Sequence, residues 1–137
     1  MRVLGLDYGE VRTGVAISDQ LGILAQGLET IEHNGNDKKL LERINEIIKE
    51  KNIDKIVIGY PLNMNATKGS RIEKTDSFIK KLKDSTKLEI IKIDERLTTV
   101  SAHKTMTELK ISKDRKKKIV DTISAEYILQ MYLDKIS

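Results

Sequence analysis

The sequence predicts an α/β domain built on a mixed five-stranded sheet, three antiparallel strands plus parallel ones, flanked by helices in the order βββαβαβαα. Three observations carry this. Two short apolar runs, about 2–8 and 13–19, follow one another across a loop too short for a crossover, so they pair antiparallel. Later apolar runs are each separated by a helix-length stripe, which implies right-handed parallel crossovers. Apolar spacing near 3.6 marks those stripes as helices packed on a sheet.

Taken in order, a third apolar run, Leu24 to Ile31, completes an antiparallel meander with the first two. A helix follows from about Asp37 to Lys51, with Leu40, Leu41, Ile44, Ile47 and Ile48 on one stripe. Lys55 to Tyr60 reads as a buried strand, stopped by Pro61, the only proline in the chain. A polar loop, Leu62 to Gly69, leads to a capping box with Ser70 as N-cap and Glu73 three residues on, opening a helix that turns Ile72, Ile79 and Leu82 inward. Leu88 to Ile93 forms a fifth strand ending at Asp94-Glu95-Arg96. Thr98 or Thr99 caps a third helix to about Leu109, and a last helix runs from about Lys113 to Lys135.

With 137 residues and no linker, repeat or low-complexity stretch, the chain is expected to be one domain, 1–137. It has no cysteine, which excludes disulfides and thiolate metal sites and suits a reducing compartment. No signal-peptide pattern and no apolar run of spanning length is found, so a soluble, cytoplasmic protein is expected, with no membrane partner. Net charge is +4 with 34% charged residues, which permits an anionic partner. The basic excess concentrates in Lys113-Asp114-Arg115-Lys116-Lys117-Lys118, at a helix start where positive charge opposes the dipole. A phosphate partner would offset that cost, as would simple solvation.

Chemistry points first to Asp7. Alternation places Val3, Gly5 and Asp7 on one strand face, so a carboxylate continues a row that should be buried. Burying it needs a cation, a metal or several hydrogen bonds, unless Asp7 only caps the Tyr8-Gly9 turn. Asp94 and Glu95 lie at the end of strand five, where α/β sheets gather ligands. Only one of the two shares a face with Asp7, and pairing with Arg96 is the plainer alternative. Asp121 falls on an inward helix face with Ser124, Ala125 and Ile128 at i+3, i+4 and i+7. A helix starting near Lys113 puts it beyond the reach of capping. Three carboxylates brought together repel, and divalent cations such as Mg²⁺ or Mn²⁺ remove that penalty while activating water for phosphodiester cleavage.

Leu4-Gly5-Leu6-Asp7-Tyr8-Gly9 with Thr13-Gly14-Val15-Ala16, then Gly59-Tyr60-Pro61-Leu62-Asn63-Met64, Asp94-Glu95-Arg96-Leu97-Thr98-Thr99 and Asp121-Thr122-Ile123-Ser124-Ala125, together resemble the YqgF family. These are bacterial ribonuclease H-like proteins described as Holliday junction resolvases or pre-16S rRNA processing nucleases. The motifs run from residue 4 to about 130; as an ordered set they are specific, though each alone is weak. The resemblance implies an RNase H-like fold and metal-binding, catalytic acids at Asp7, Glu95 and Asp121, so it selects Glu95 over Asp94. Asn65-Ala66 replaces the more usual Asp-Gly, and Ser124 an alanine; neither touches the acids.

Around those acids, Arg96 is a candidate phosphate ligand through a bidentate fork. Asn63, Lys68, Arg71, Arg115, Lys116 and Lys117 are candidate nucleic-acid contacts, each also readable as loop self-bonding or solvated charge. Tyr8 and Tyr60 could stack on bases, but partial burial at the sheet edge is the plainer expectation. His33 and His103 lack the companions of a zinc site. No Gly-x-Ser-x-Gly elbow occurs, and Gly9 to Gly14 lacks the Lys-Ser/Thr of a phosphate loop. One domain leaves no room for the two-lobed nucleotide site of sugar kinases, whose first phosphate motif the Asp7-Tyr8-Gly9 turn also resembles.

The expected function is a metal-dependent endonuclease with Mg²⁺ or Mn²⁺, with 5′-end processing of pre-16S rRNA as the family-implied role. Holliday junction resolution is the alternative, and would need paired sites in a dimer. A non-catalytic RNA-binding assembly factor is a third reading. Expected partners are nucleic acid, precursor rRNA or branched DNA, and the chain is expected as a monomer or weak homodimer.

Overall fold

A computed structural model describes residues 1–61, 69–94 and 113–136, and the side chains of all these except 69, 70 and 113–121. The strands are β1 (Val3–Asp7), β2 (Arg12–Ser18), β3 (Ala25–Glu32), β4 (Lys55–Tyr60) and β5 (Glu89–Asp94). Helices α1 (Asp37–Lys51), α2 (Gly69–Thr86) and α3 (Lys113–Ile136) complete the described elements. The expected helix ending near Leu109 lies outside the described residues. Strand order is β3-β2-β1-β4-β5, with β1–β2 and β2–β3 antiparallel and β1–β4 and β4–β5 parallel.

Strand limits agree with the sequence pattern within about two residues, the usual uncertainty of element ends. One difference concerns the capping box. The second helix starts at Gly69, so Ser70 lies inside it rather than at its N-cap. At the start of α1, Asn36 caps instead: its side chain accepts the Lys39 N–H at 3.1 Å. Asn52 closes that helix in the left-handed region at φ 54°, its N–H returning to the Ile48 carbonyl.

Alternation along each strand divides the side chains between two unlike layers. Leu4, Leu6, Val15, Ile56 and Ile58 face α1 and α2, where they bury Leu40, Ile44, Ile47, Phe78 and Leu82. Fully burying a side chain of this size contributes about 1.5–3 kcal/mol. The expected stripe of α1 divides accordingly, Leu41 and Ile48 being only partly buried at its margins. On α2, Phe78 and Thr75 lie deeper than Ile72 and Ile79.

The opposite layer holds Val3, Ala16 and Val57 against Ala125, Ile128, Leu129, Tyr132 and Leu133 of α3. Close approach depends on Gly5. A Cβ there would stand 2.8 Å from Leu129 Cβ and 3.1 Å from the Ala125 carbonyl oxygen, closer than packed atoms allow. Polar bonds then fasten α3 along the outer edge of β3. Glu126 accepts the Gly27 N–H at 2.6 Å, and Gln130 accepts the Ala25 N–H at 2.8 Å while donating to the Ile23 carbonyl. Side chains thus occupy edge donors that could otherwise recruit a foreign strand.

Candidate active site

Asp7 is the last residue of β1, half-buried, and follows Val3 and Gly5 on the face that α3 covers. The ladder fixes what surrounds it. Asp7 pairs with Gly14 of β2, and Gly14 pairs with Thr30 of β3. On the other side Leu6 pairs with Ile58, so Asp7 comes level with Gly59, which pairs with Ile93 of β5. Its immediate neighbours across the sheet therefore carry no side chain on either flank.

The helix α3 is anchored to that same row. Thr122 and Thr30 share a hydroxyl–hydroxyl bond of 2.8 Å, while further down the helix Tyr132 meets Lys55 at the start of β4. Its N-terminal half therefore approaches the strand ends where Asp7 lies. Asp121 directly precedes Thr122 and stands one turn above Ala125, which packs over Gly5. It is the ninth residue of a helix that begins at Lys113, so capping and the helix dipole do not account for an acid there. Its side chain is not among those described.

On β5, Ile91 and Ile93 join the α3-side layer, whereas Lys92 reaches the opposite face, over the Tyr60 ring and toward Asp76 of α2. By the same alternation Asp94 belongs to the α2 side, away from Asp7. Glu95, Arg96, Asn63 and Lys68 lie outside the described residues, and so does His103. Arg115, Lys116 and Lys117 lie in the first turns of α3, with their side chains undescribed.

Behind Asp7, on the α2 side, three rings stack: Tyr8 lies 4.3 Å from Phe78 and 6.1 Å from His33 by ring centroids. The Tyr8 hydroxyl donates to Asp37 Oδ1 at 3.2 Å, and burial first, then the Asp37 charge, pushes its pKa up to about 12. His33 Nε2 shares a bond of 3.0 Å with Thr13 Oγ1. Burial holds the imidazole below its usual pKa. These rings pack together on the α2 side of the sheet. Tyr60 is likewise engaged, donating to Asp76 at 2.8 Å under the Lys92 ammonium. Base stacking on either tyrosine gives way to the partial burial expected of them.

Arg71 lines a small cavity of about 290 Å³ with Tyr8, Gly9, Glu10, Lys74 and Thr75, beside the turn that follows Asp7. The Lys74 ammonium pairs there with Glu10, which holds the Glu10 carboxyl below its usual range. Another cavity, of about 790 Å³, opens between α1 and α2 on the face away from Asp7. Among the described residues no group of three acids or histidines is close enough to hold a metal, since Asp7 alone of the expected trio has a described side chain. No helix of the described residues is long and apolar enough to cross a membrane.

Arg12 was not singled out by the sequence motifs, yet it shares the face of Asp7 two residues before Gly14. Strand parity would have found it once Gly14 was aligned with Asp7. The Thr30–Thr122 bond had no local signal, because it joins residues 92 apart in the chain.

This sheet order, with one helix laid across the face that carries Asp7, is that of the RNase H-like fold class. The chain of Thermus thermophilus RuvC in complex with Holliday junction substrate superposes with a TM-score of 0.63 at 10% identity, covering 100% of this chain and 96% of that one. The fowlpox virus resolvase with Holliday junction DNA gives 0.58 at 13% identity, covering 99% of each chain. At such identities the likeness concerns the fold. The chain belongs to the RuvX (YqgF) family, described as Holliday junction resolvase, which it matches over residues 1–135. A relative from Ruminiclostridium cellulolyticum is 59% identical over all of this chain and 96% of its own length, and one from Bacillus subtilis 44% identical over 100% of each. Both bear the name "Putative pre-16S rRNA nuclease".

Proposed function

We propose that this chain is a single-domain, divalent-metal-dependent endonuclease that processes the 5′ end of precursor 16S rRNA. The observation that carries the reading is Asp7, a carboxylate ending a buried strand row between Gly14 and Gly59, on the face covered by the helix to which Asp121 belongs. The names of the full-length relatives favour RNA as the substrate.

In this reading Asp7, Glu95 and Asp121 hold Mg²⁺ or Mn²⁺. The donor set fits: carboxylate oxygens suit hard cations, and glycines on both sides of Asp7 leave no side chain to occupy the space beside it. When bound, the cation supplies an acidified water and charge stabilisation at the leaving oxygen. The protein's part is positional. Strand β1 fixes Asp7, and α3, held down by Gly5 and the Thr30–Thr122 bond, fixes the level of Asp121. Alternation along β5 favours Glu95 as the third acid. Arg96 and Asn63 hold phosphates next to the cut, and Lys68, Arg71, Arg115, Lys116 and Lys117 carry flanking backbone. Their charge makes binding salt-dependent. A cytoplasmic protein acting as a monomer or weak homodimer completes the proposal.

Holliday junction resolution is the second reading, favoured by the family description and by the two resolvase folds. The test incubates the protein with precursor 16S rRNA carrying its 5′ extension and, in parallel, with a synthetic four-way DNA junction, each with Mg²⁺ or Mn²⁺. Cleavage of the RNA alone is expected. Paired symmetric nicks in the junction would favour the resolvase instead, and binding without cleavage of either would favour an RNA-binding assembly factor.

A further inference from the structure

On β2, Thr13 turns to the α1–α2 side, where it bonds His33, and Ala16 joins the α3-side layer. Arg12 and Gly14 therefore share the α3 side with Ala16 and with Asp7. Because Gly14 is the direct partner of Asp7, Arg12 is its diagonal neighbour, at a separation of about 7–8 Å between such positions, within reach of a long side chain. The directly opposite residue on that row has no side chain. Arg12 is thus the first cation met beside Asp7 along β2.

Its backbone is held on two sides. A Cβ on Gly9 would stand 2.5 Å from the Arg12 carbonyl oxygen, so the turn after Asp7 folds tightly down onto Arg12. The preceding carbonyl, of Val11, accepts N–H bonds from both His33 and Asn34 at 2.9 and 3.0 Å. The side chain is half-buried, and its ladder partner on β3 is Glu32. A guanidinium fixed at the rim of a carboxylate site can donate two N–H bonds to one phosphate while its charge eases the approach of a polyanion toward acids.

We propose that Arg12 is a substrate-phosphate ligand of this site, gripping the backbone of the strand that passes Asp7. The inference deepens the nuclease reading and rests on it. It adds a contact from β2, on the flank of Asp7 opposite to β4 and β5. RNA and DNA offer the same phosphate, so the chemistry commits to the phosphodiester backbone.

The test measures binding, apart from cleavage, in an Asp7→Asn background with Mg²⁺ present. A precursor 16S rRNA fragment and a four-way DNA junction are titrated across a series of KCl concentrations, with Arg12 intact, as Arg12→Gln and as Arg12→Lys. Losing one phosphate contact lowers the slope of log K against log salt by about 0.7–0.9. That drop is expected for Arg12→Gln on whichever nucleic acid binds, with an unchanged melting temperature. Arg12→Lys should restore the slope, yet in the Asp7-intact protein cleave at least tenfold more slowly, since a lysine cannot supply the fork. An unchanged slope in Arg12→Gln, or a melting temperature lowered with the slope retained, overturns the assignment of Arg12 alone. Failure of the Arg12-intact protein to bind either nucleic acid overturns the nuclease reading, and Arg12 with it.

Discussion

The two faces of the sheet are built from different materials. Toward α1 and α2 the strands present Leu4, Leu6, Val15, Ile56 and Ile58, and the helices answer with Leu40, Ile44, Ile47, Phe78 and Leu82. Toward α3 the apolar layer is smaller, Val3, Ala16 and Val57 against Ala125, Ile128, Leu129 and Leu133. It is interspersed with Gly5, Gly14 and Gly27 and with hydroxyl, carboxylate and amide bonds to the helix. Bulk on the first face excludes water and supplies stability. Small residues on the second let a helix come close to the strands at Gly5 and Gly27. The larger core thus lies on one side of the sheet and the close helix approach on the other.

If that division holds, substitutions on the two faces should fail differently. Phe78→Ala should cost the most stability, about 3–5 kcal/mol, because it empties the centre of the larger core. Chemical denaturation should register this loss, while the protein that remains folded at low temperature keeps its cleavage rate. Gly5→Ala should cost less, about 1–3 kcal/mol from overpacking against Leu129 and the Ala125 carbonyl. Its activity should nevertheless fall further than that of Phe78→Ala, since the added methyl lifts α3 away from Asp7. Equal activity loss in the two variants would break the comparison.

A finer probe is the Thr30–Thr122 pair. Replacing either threonine with valine should destabilise by about 0.5–1.5 kcal/mol, and the double variant by less than the sum of the two. Full additivity would mean the bond does not hold α3 at that row.

The smallest expected effect sharpens the other face. His33 is held neutral by burial. Below about pH 6.5 the unfolded chain takes up a proton that the native imidazole refuses, so the native state loses stability as pH falls through that value toward the lower native pKa. Above it the contribution is complete. Urea titrations at a series of pH values should show this acid-side decline in the parent and a shallower one in His33→Gln.

How far the sequence alone leads differs between the faces too. The larger core was legible from the i, i+3, i+4 stripe of α1 and the apolar runs of β1 and β4, because burial imposes periodicity on every element it includes. Asp7 was legible for the opposite reason, as a charge interrupting such a pattern. The sequence expects Asp121 on an inward helix face, whereas the bond between Thr30 and its neighbour Thr122 is one that no local pattern records. The choice of Asp94 or Glu95 rested on family resemblance. The side to which β5 turns became apparent only from the contacts of Lys92 and Ile93. The start of α2 was misread because a capping-box pattern at Ser70 and Glu73 is a local preference, and the helix extends one residue past it to Gly69. Arg12 escaped notice since an arginine near a turn carries no signal until the register pairs Gly14 with Asp7.

The central claim is that Asp7 belongs to a metal-dependent nuclease site and is not a structural cap. It is tested most directly by comparing Asp7→Asn with the parent, measuring Mn²⁺-dependent cleavage of precursor 16S rRNA together with the melting temperature in metal-free buffer. Loss of a metal ligand worth several kcal/mol predicts a rate more than about 100-fold lower. The melting temperature should stay level or rise, since asparagine relieves repulsion among the acids. Full cleavage by Asp7→Asn, accompanied by a lower melting temperature, would make Asp7 a turn cap and contradict the account.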